Sequence, residues 1–466
     1  MNIKKITAFA AALAVALSLS ACNSDGGTTA EADVTTTTAA ETEAIKDETT
    51  APPETETEAT TTEPVVEATP VEDFEFEEYV DGEIAITKYK GKDAEVIIPA
   101  EIDGKPVTAI DINAFNNCSN VADITFPDSI REISLVDASM DMNYISNYII
   151  GGVIPFSGTP WLEKKREEDP LVIVNNIVVD GKNCTRDVEI PEGVTCIASF
   201  AFSRCSTITS ISLPKSLEKI EECAFYGCKR LTDIVIPDSV NKIGTLAFGD
   251  CEALENVSFP NNTVEMGINI LSAKVYGGDI PWFANKKAEN PLVIVNGNLI
   301  DGQKCTGDVV IPDSVKSIAP YAFYENEYLM TSVQLPDGIT KIPDYLFSGC
   351  LALKSVTIPD GVTEIGSHAF EECSIESVTI PDGVTKIGSS AFNHTYLTSI
   401  TIPSSVTEIG DSAFAHNYKL KSLTLPDSVK SIGEDAFENC EFDITYKGEV
   451  YFPELYNELY AEINGQ

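Results

Sequence analysis

LKSVTIPDGVTEIGSHAFEEC (353–373), IESVTIPDGVTKIGSSAFNHT (375–395), LTSITIPSSVTEIGDSAFAHN (397–417) and LKSLTLPDSVKSIGEDAFENC (420–440) are four copies of one pattern. Within a copy, the apolar/polar alternation over residues 397–402 predicts a short half-buried strand. It turns Ile400 and Ile402 inward and Thr401 outward. Pro403 stops the strand, Val406 and Ile409 form a second apolar pair, and Gly410 supplies a turn that needs no Cβ. Ala413 and Phe414 then plug the end of the coil. The Pro-Asp-Gly and Pro-Asp-Ser steps at Asp360, Asp382 and Asp427 are turn chemistry, and that explains the Asp stripe without calcium.

Working outward from these copies, the same anchor phenylalanine recurs at Phe115, Phe202, Phe225, Phe248, Phe323, Phe347, Phe370, Phe392, Phe414 and Phe437, mostly 22–24 residues apart. A period of that size with short strands marks a stacked solenoid, in which each unit buries its apolar edge only against its neighbours. The consensus LxxLxLPxxVxxIGxxAFxxCxxL resembles the bacterial BspA-type leucine-rich repeats, a family of surface proteins. The opening segment DGEIAITKYKGKDAEVIIPAEIDGKPVTAIDINAF (81–115) is similar to the start of such arrays. The resemblance spans about residues 74–446. It implies a β-rich member of the α/β class: a curved, right-handed leucine-rich-repeat solenoid with a short parallel strand from every repeat on one face.

Two segments break the period. PWLEKKREEDPLVIVNNIVVDGKNCTRDVEIP (160–191) and PWFANKKAENPLVIVNGNLIDGQKCTGDVVIP (281–312) match at a constant offset of 121 residues. They read as extended coils of the same array, near 156–191 and 277–312. After the array, Leu455, Leu459 and Ile463 fall at i, i+4 and i+8 with Tyr456 and Tyr460 beside them. This spacing predicts a short amphipathic helix within 447–466, placed to cap the last coil.

The first 22 residues read as an address. Lys4 and Lys5 precede an apolar run from Ile6 to Leu19, the anatomy of a secretory signal. The ending Leu19-Ser20-Ala21-Cys22 resembles the bacterial lipobox, which implies that Cys22 is diacylated and that the chain is exported and anchored to the outer face of a bacterial cell membrane. Residues 23–73 are rich in Thr, Glu, Ala and Pro, with Lys46 as the one basic residue. So little apolar surface predicts a disordered tether of roughly 50 residues, with a coil span of about 40 Å.

Charge narrows the partners. Of 466 residues, 73 are Asp or Glu and 31 are Lys or Arg, a formal charge of −42. Nucleic acid is excluded, because binding there depends on cations replacing phosphate counterions. Direct docking on anionic lipid is disfavoured too, which leaves the lipid anchor as the membrane contact. The chain carries no HExxH, P-loop, GxGxxG or nucleophile elbow, and its twelve cysteines include no CxxC. These absences predict no enzyme, no cofactor and no metal.

Seven cysteines, Cys118, Cys205, Cys228, Cys251, Cys350, Cys373 and Cys440, sit three residues after an anchor Phe, in a slot that holds Asn326, Thr395 or Asn417 elsewhere. Residues of these types share a buried turn position that satisfies backbone groups; disulfides among Cys205, Cys228 and Cys251 are a second reading. His394 and His416 share a slot in adjacent repeats and read as stacked turn residues. The outward strand positions give a row of Thr357, Thr379, Thr401 and Thr424 beside Ser355, Ser377, Ser399 and Ser422. A long sheet of small polar side chains suits an extended extracellular protein partner. Trp161 and Trp282, with Lys164, Lys165, Arg166, Lys286 and Lys287 nearby, form the second candidate site, for stacking on glycan rings. The competing reading is that each tryptophan pins its extended coil while its lysines face water. Function follows as protein binding or adhesion at the cell surface, with a carbohydrate-associated module or a structural envelope spacer as alternatives.

Overall fold

A computed structural model describes residues 68–78, 82–135, 154–262, 264–267, 270, 279–326 and 329–465. The expected leader with Cys22, and the tether through residue 67, lie outside the described residues. Thr69 already belongs to the fold: it is buried, and it exchanges hydrogen bonds of 3.0 and 2.9 Å with the backbone of Ile97. The tether boundary therefore falls before residue 73.

The chain forms a β-rich parallel solenoid. Each regular coil uses two strands rather than one. The first follows the predicted alternation: Ser355–Thr357 turns Val356 in and its neighbours out, and pairs in parallel with Met330–Gln334 of the coil before. Proline ends it and accepts the bond that closes the turn, as in Val362 N–H to Pro359 O at 3.2 Å. The second strand is only two residues long and centres on the isoleucine after that turn. Lys341–Ile342, Glu364–Ile365, Lys386–Ile387, Glu408–Ile409 and Ser431–Ile432 form one unbroken parallel ladder.

The prediction of a first-ladder strand in every repeat needs correction. In the coils beginning at Ile375 and Leu397 it shrinks to one bridge between Thr379 and Thr401. Those coils are carried by the second ladder instead. The glycine after the second strand is kept, as expected, because it carries no Cβ. It is not left-handed; a Cβ on Gly388 would stand 2.6 Å from the backbone nitrogen of Ser367 in the preceding coil. Close approach of coils sets that residue.

A third set of coil-to-coil bonds runs through the anchor segment. Around Phe225, the N–H groups of Cys223, Phe225 and Gly227 donate to the carbonyls of Thr245, Ala247 and Gly249 in the next coil, each at 2.8 Å. Two left-handed residues flank the anchor to aim these groups, at φ +53° for Cys223 and +71° for Gly227. Inside, the anchor rings stack: Phe370, Phe392 and Phe414 lie 5.2 and 5.4 Å apart with planes within 10° of parallel, all fully buried. Offset stacking of this kind adds about 0.5–1.5 kcal/mol per pair to the burial of the rings.

The extended coils insert the same device twice. Helix α1 (Pro160–Glu168) leads into Val172–Val174, which pairs antiparallel with Ile177–Asp180. Helix α2 (Pro281–Glu289) leads into Val293–Val295 against Asn298–Asp301. In both, the second strand of the hairpin starts a new parallel run with the coil that follows. At the second junction, Asn296 Nδ2 donates to the carbonyls of Phe259 and Pro260 at 2.9 and 3.0 Å, so a side-chain amide bridges coils.

Both ladders are closed at the C-terminal end. Asp443–Tyr446 pairs in parallel with Ser422–Leu425, and Glu449–Tyr451 folds back on it antiparallel. The cap helix is thus shorter than the 447–466 expected. Residues 449–451 continue the sheet, and α3 runs only from Tyr456 to Asn464. Leu459 faces the core, and the Asn464 amide exchanges bonds of 3.1 and 2.9 Å with the N–H and carbonyl of Ile432. One side chain thereby takes the place of the next coil.

Candidate binding face

The outward side of the first ladder carries the predicted row. Ser355, Thr357, Ser377, Thr379, Ser399, Thr401, Ser422 and Thr424 are all exposed. Beneath them Val356, Val378 and Leu423 are buried, so the backbone that presents the row is fixed by the core. Coils at strand spacing set successive members about 5 Å apart. Short hydroxyl side chains lose little rotamer entropy on contact, and a rigid row of them can follow an extended chain.

Toward the N-terminus the same face changes chemistry. Asp187, Ser210, Asp233 and Asn256 occupy one register line across four strands. Ser210 donates to Asp187 at 2.6 Å and Asn256 donates to Asp233, so each carboxylate is held by the coil that follows. The bonds from Thr232 and Asn256 hold Asp233 below the usual carboxylate range. Asp308 repeats the arrangement 121 residues on, accepting from Ser332 at 2.6 Å and Thr331 at 3.0 Å. A groove of about 1040 Å³ runs along this part of the face, and Val235 stands 68% exposed in it. Sequence reasoning passed over these residues, although the alternation that placed Thr357 outward places Asp187 and Asp308 outward as well.

The tryptophan site does not survive. Trp161 is 2% and Trp282 8% exposed, so neither offers a ring face to a sugar. Each opens a helix and turns into the core: Trp161 packs against Phe126 and Phe156, Trp282 against Phe259. Their cations are structural too, and not all face water. Arg166 pairs with fully buried Asp180 at 2.7 Å, and Lys287 lies buried between Asp279 and Asp301 at 3.0 and 3.5 Å. These are equivalent positions in the two extended coils.

The cysteine slot works as a backbone-satisfying position. Cys228, Cys251, Cys350, Cys373 and Cys440 each direct Sγ to the carbonyl of the preceding anchor phenylalanine, at 3.0–3.2 Å. Asn417 makes the same bond to Phe392 O at 2.8 Å, adds one to Phe414 O at 2.8 Å, and accepts from Thr395. The described cysteines are free thiols. Burial pushes Cys205 and Cys251 up to about 12 and Cys440 to about 11, which removes the thiolate that metal binding or nucleophilic attack requires.

His394 and His416 do stack, 4.1 Å apart, with His416 Nδ1 2.9 Å from Tyr418 Oη. A second aromatic column, Tyr321, Tyr345 and His368, fills the left-handed slot two residues before the anchor, with rings 4.4 and 4.3 Å apart. Aligning the repeats on phenylalanine exposes it. Among the described residues no three His, Cys, Asp or Glu groups are placed to hold a metal ion, and no helix is long and apolar enough to cross a membrane.

Residues 95–137, 178–274 and 316–443, more than half of the chain, match the BspA type leucine rich repeat region in six copies. The chain belongs to the BspA-type leucine-rich-repeat family. No curated protein matches it. Among solved structures, it is similar to a leucine-rich repeat protein from Bacteroides ovatus (22% identity over 81% of this chain and 99% of that one, TM-score 0.31). A leucine-rich cell surface protein from Faecalibacterium prausnitzii matches at 24% identity over 84% and 97%, TM-score 0.26. The pneumococcal vaccine antigen PcpA matches at 21% over 59% and 85%, TM-score 0.28. A BspA-type solenoid is a non-enzymatic binding fold.

Proposed function

We propose that this BspA-type chain is an exported cell-surface lipoprotein that binds an extended protein partner along the first-ladder face. The observation that carries the reading is the exposed row of eight Ser and Thr side chains over four consecutive coils. A rigid row repeating every 5 Å or so matches a chain laid across the strands. The partner is an extracellular protein of a host, a matrix or another bacterium. The lipid on Cys22 supplies the membrane contact; two acyl chains anchor stably at roughly 0.8 kcal/mol per buried methylene. The tether from Asn23 lifts the solenoid off that membrane. A glycan-binding role through Trp161 and Trp282 is withdrawn because both rings are buried.

The test is binding of the purified chain to arrays of extracellular-matrix proteins and glycans, beside a variant with Thr357→Lys, Thr379→Lys and Thr401→Lys. Saturable protein binding that the variant loses supports the strand-face reading. Binding that the variant keeps moves the site elsewhere. Silence on all arrays leaves a structural envelope spacer as the better account.

A further inference from the structure

The bonds that join anchor segments leave one edge of the solenoid open. Ser412, Phe414 and His416 donate their N–H groups to the carbonyls of Glu434, Ala436 and Glu438, at 3.0, 2.8 and 2.8 Å. The last anchor segment therefore has its carbonyls used. The N–H groups of its Asp435, Phe437 and Asn439 find no acceptor among the described residues. Asp435 and Asn439 keep φ +53°, the left-handed value of the same slots in inner coils, so the donors are aimed as they are inside the stack. The cap closes the other two edges, at Asn464 and at Asp443–Tyr451, but not this one. Between α3 and the anchor segment lies a cavity of about 460 Å³, lined by Phe437, Tyr456, Asn457 and Tyr460.

The charge of that cavity selects its occupant. Glu434, Asp435 and Glu438 line it, and no lysine or arginine does. An anion would meet the three donors but also three carboxylates. A free polyamine would meet the carboxylates and leave the donors unused. A second copy stacked end to end is disfavoured, since the first anchor carbonyl, Ala114 O, already accepts from Tyr89 N–H at 2.8 Å. We infer that the C-terminal end of the solenoid is a docking site for an extended, basic polypeptide segment of a partner. The carbonyls of that segment at positions i, i+2 and i+4 take the N–H groups of Asp435, Phe437 and Asn439, as those of Glu434, Ala436 and Glu438 do for the coil before. Its Lys or Arg side chains face Glu434, Asp435 and Glu438. Open rows of donors are templates for this kind of strand addition.

The site is separate from the strand face, and its test does not depend on that reading. The purified full-length chain is mixed with an end-blocked peptide of alternating Lys and Ala, with spermine, and with the matching Glu-Ala peptide. Binding is read by fluorescence anisotropy, and amide hydrogen exchange is followed at Asp435, Phe437 and Asn439. The three amides should exchange freely in the unbound chain and slow by about tenfold or more with the Lys-Ala peptide only. Asn457→Trp, a change at an exposed cavity residue, should fill the cavity and weaken peptide binding by a similar factor, with the circular dichroism of the chain unchanged. Amides already protected in the free chain would overturn the inference. So would peptide binding that leaves them unprotected, equal protection by spermine, or no binding at millimolar peptide.

Discussion

Phe392→Ala measures how much of the solenoid rests on its aromatic column. The ring is fully buried and stacked on both faces, 5.2 Å from Phe370 and 5.4 Å from Phe414. Truncating a buried Phe to Ala typically costs about 3–5 kcal/mol through lost transfer energy and the cavity left behind. Two stacking contacts of about 0.5–1.5 kcal/mol each place this site at the upper end of that range. Phe437→Ala should cost less. Its one neighbour in the column lies 6.1 Å away, and Tyr456 of the cap helix covers it edge-on at 5.7 Å. Urea unfolding followed by circular dichroism gives both values. A double-mutant cycle isolates the column itself: Phe370→Leu with Phe392→Leu should couple by about 0.5 kcal/mol or more, while Phe202→Leu with Phe392→Leu should add. A loss below about 1 kcal/mol at Phe392, or additivity of the adjacent pair, would refute the view that the stacked rings act as one element.

Further expectations follow from single sites. Lys287→Ala leaves buried Asp301 without its cation and should cost about 3–5 kcal/mol in urea melts; the pair Lys287→Met with Asp301→Asn should recover most of it. Burial first, and then the charge of Glu221, raise Glu222 to about 7. Because this folded value lies above the ordinary carboxylate one, the stabilising share of Glu222 is complete below pH 4.5 and is lost as pH rises through about 7. Glu222→Gln should therefore stabilise the chain at pH 8, on the order of 1–3 kcal/mol, and leave stability at pH 4 unchanged; equal effects at both values would reject it. Ser390 holds φ +52° while its N–H bonds to Asp411 O at 2.7 Å. Ser390→Val should cost about 1–2 kcal/mol and Ser390→Gly close to nothing, with thermal melts as the check.

What was legible in the sequence is what repeats. The first strand, the proline turn, the anchor ring and the cysteine slot each recur at fixed offsets, so alignment of the copies shows their burial before any coordinates. The second ladder was hidden because two residues are too few for alternation to register. Its strand reads only as the isoleucine of a Val-x-x-Ile pair, although it is the one ladder that runs unbroken through the coils at Ile375 and Leu397. The tryptophans left two readings open for a different reason. Aromatics beside lysines look alike whether they face water or the core, and only the tertiary partners Phe156 and Asp301 decide between the two.

The extended coils show why the two readings and the architecture are linked. A solenoid strand has neighbours on both sides, so an insertion must supply its own partner or leave backbone groups unpaired. Here the hairpin strands Val172–Val174 and Val293–Val295 supply that partner, and each helix that precedes them is fixed by a buried tryptophan and a cation reaching a buried aspartate. Residues that look like a surface binding motif are thus the fittings of an internal junction, which explains their repetition at an offset of 121 without any ligand. The same logic singles out the C-terminal edge. There Asp435, Phe437 and Asn439 present donors with no acceptor among the described residues, so an acceptor from outside the chain fits without displacing a native bond.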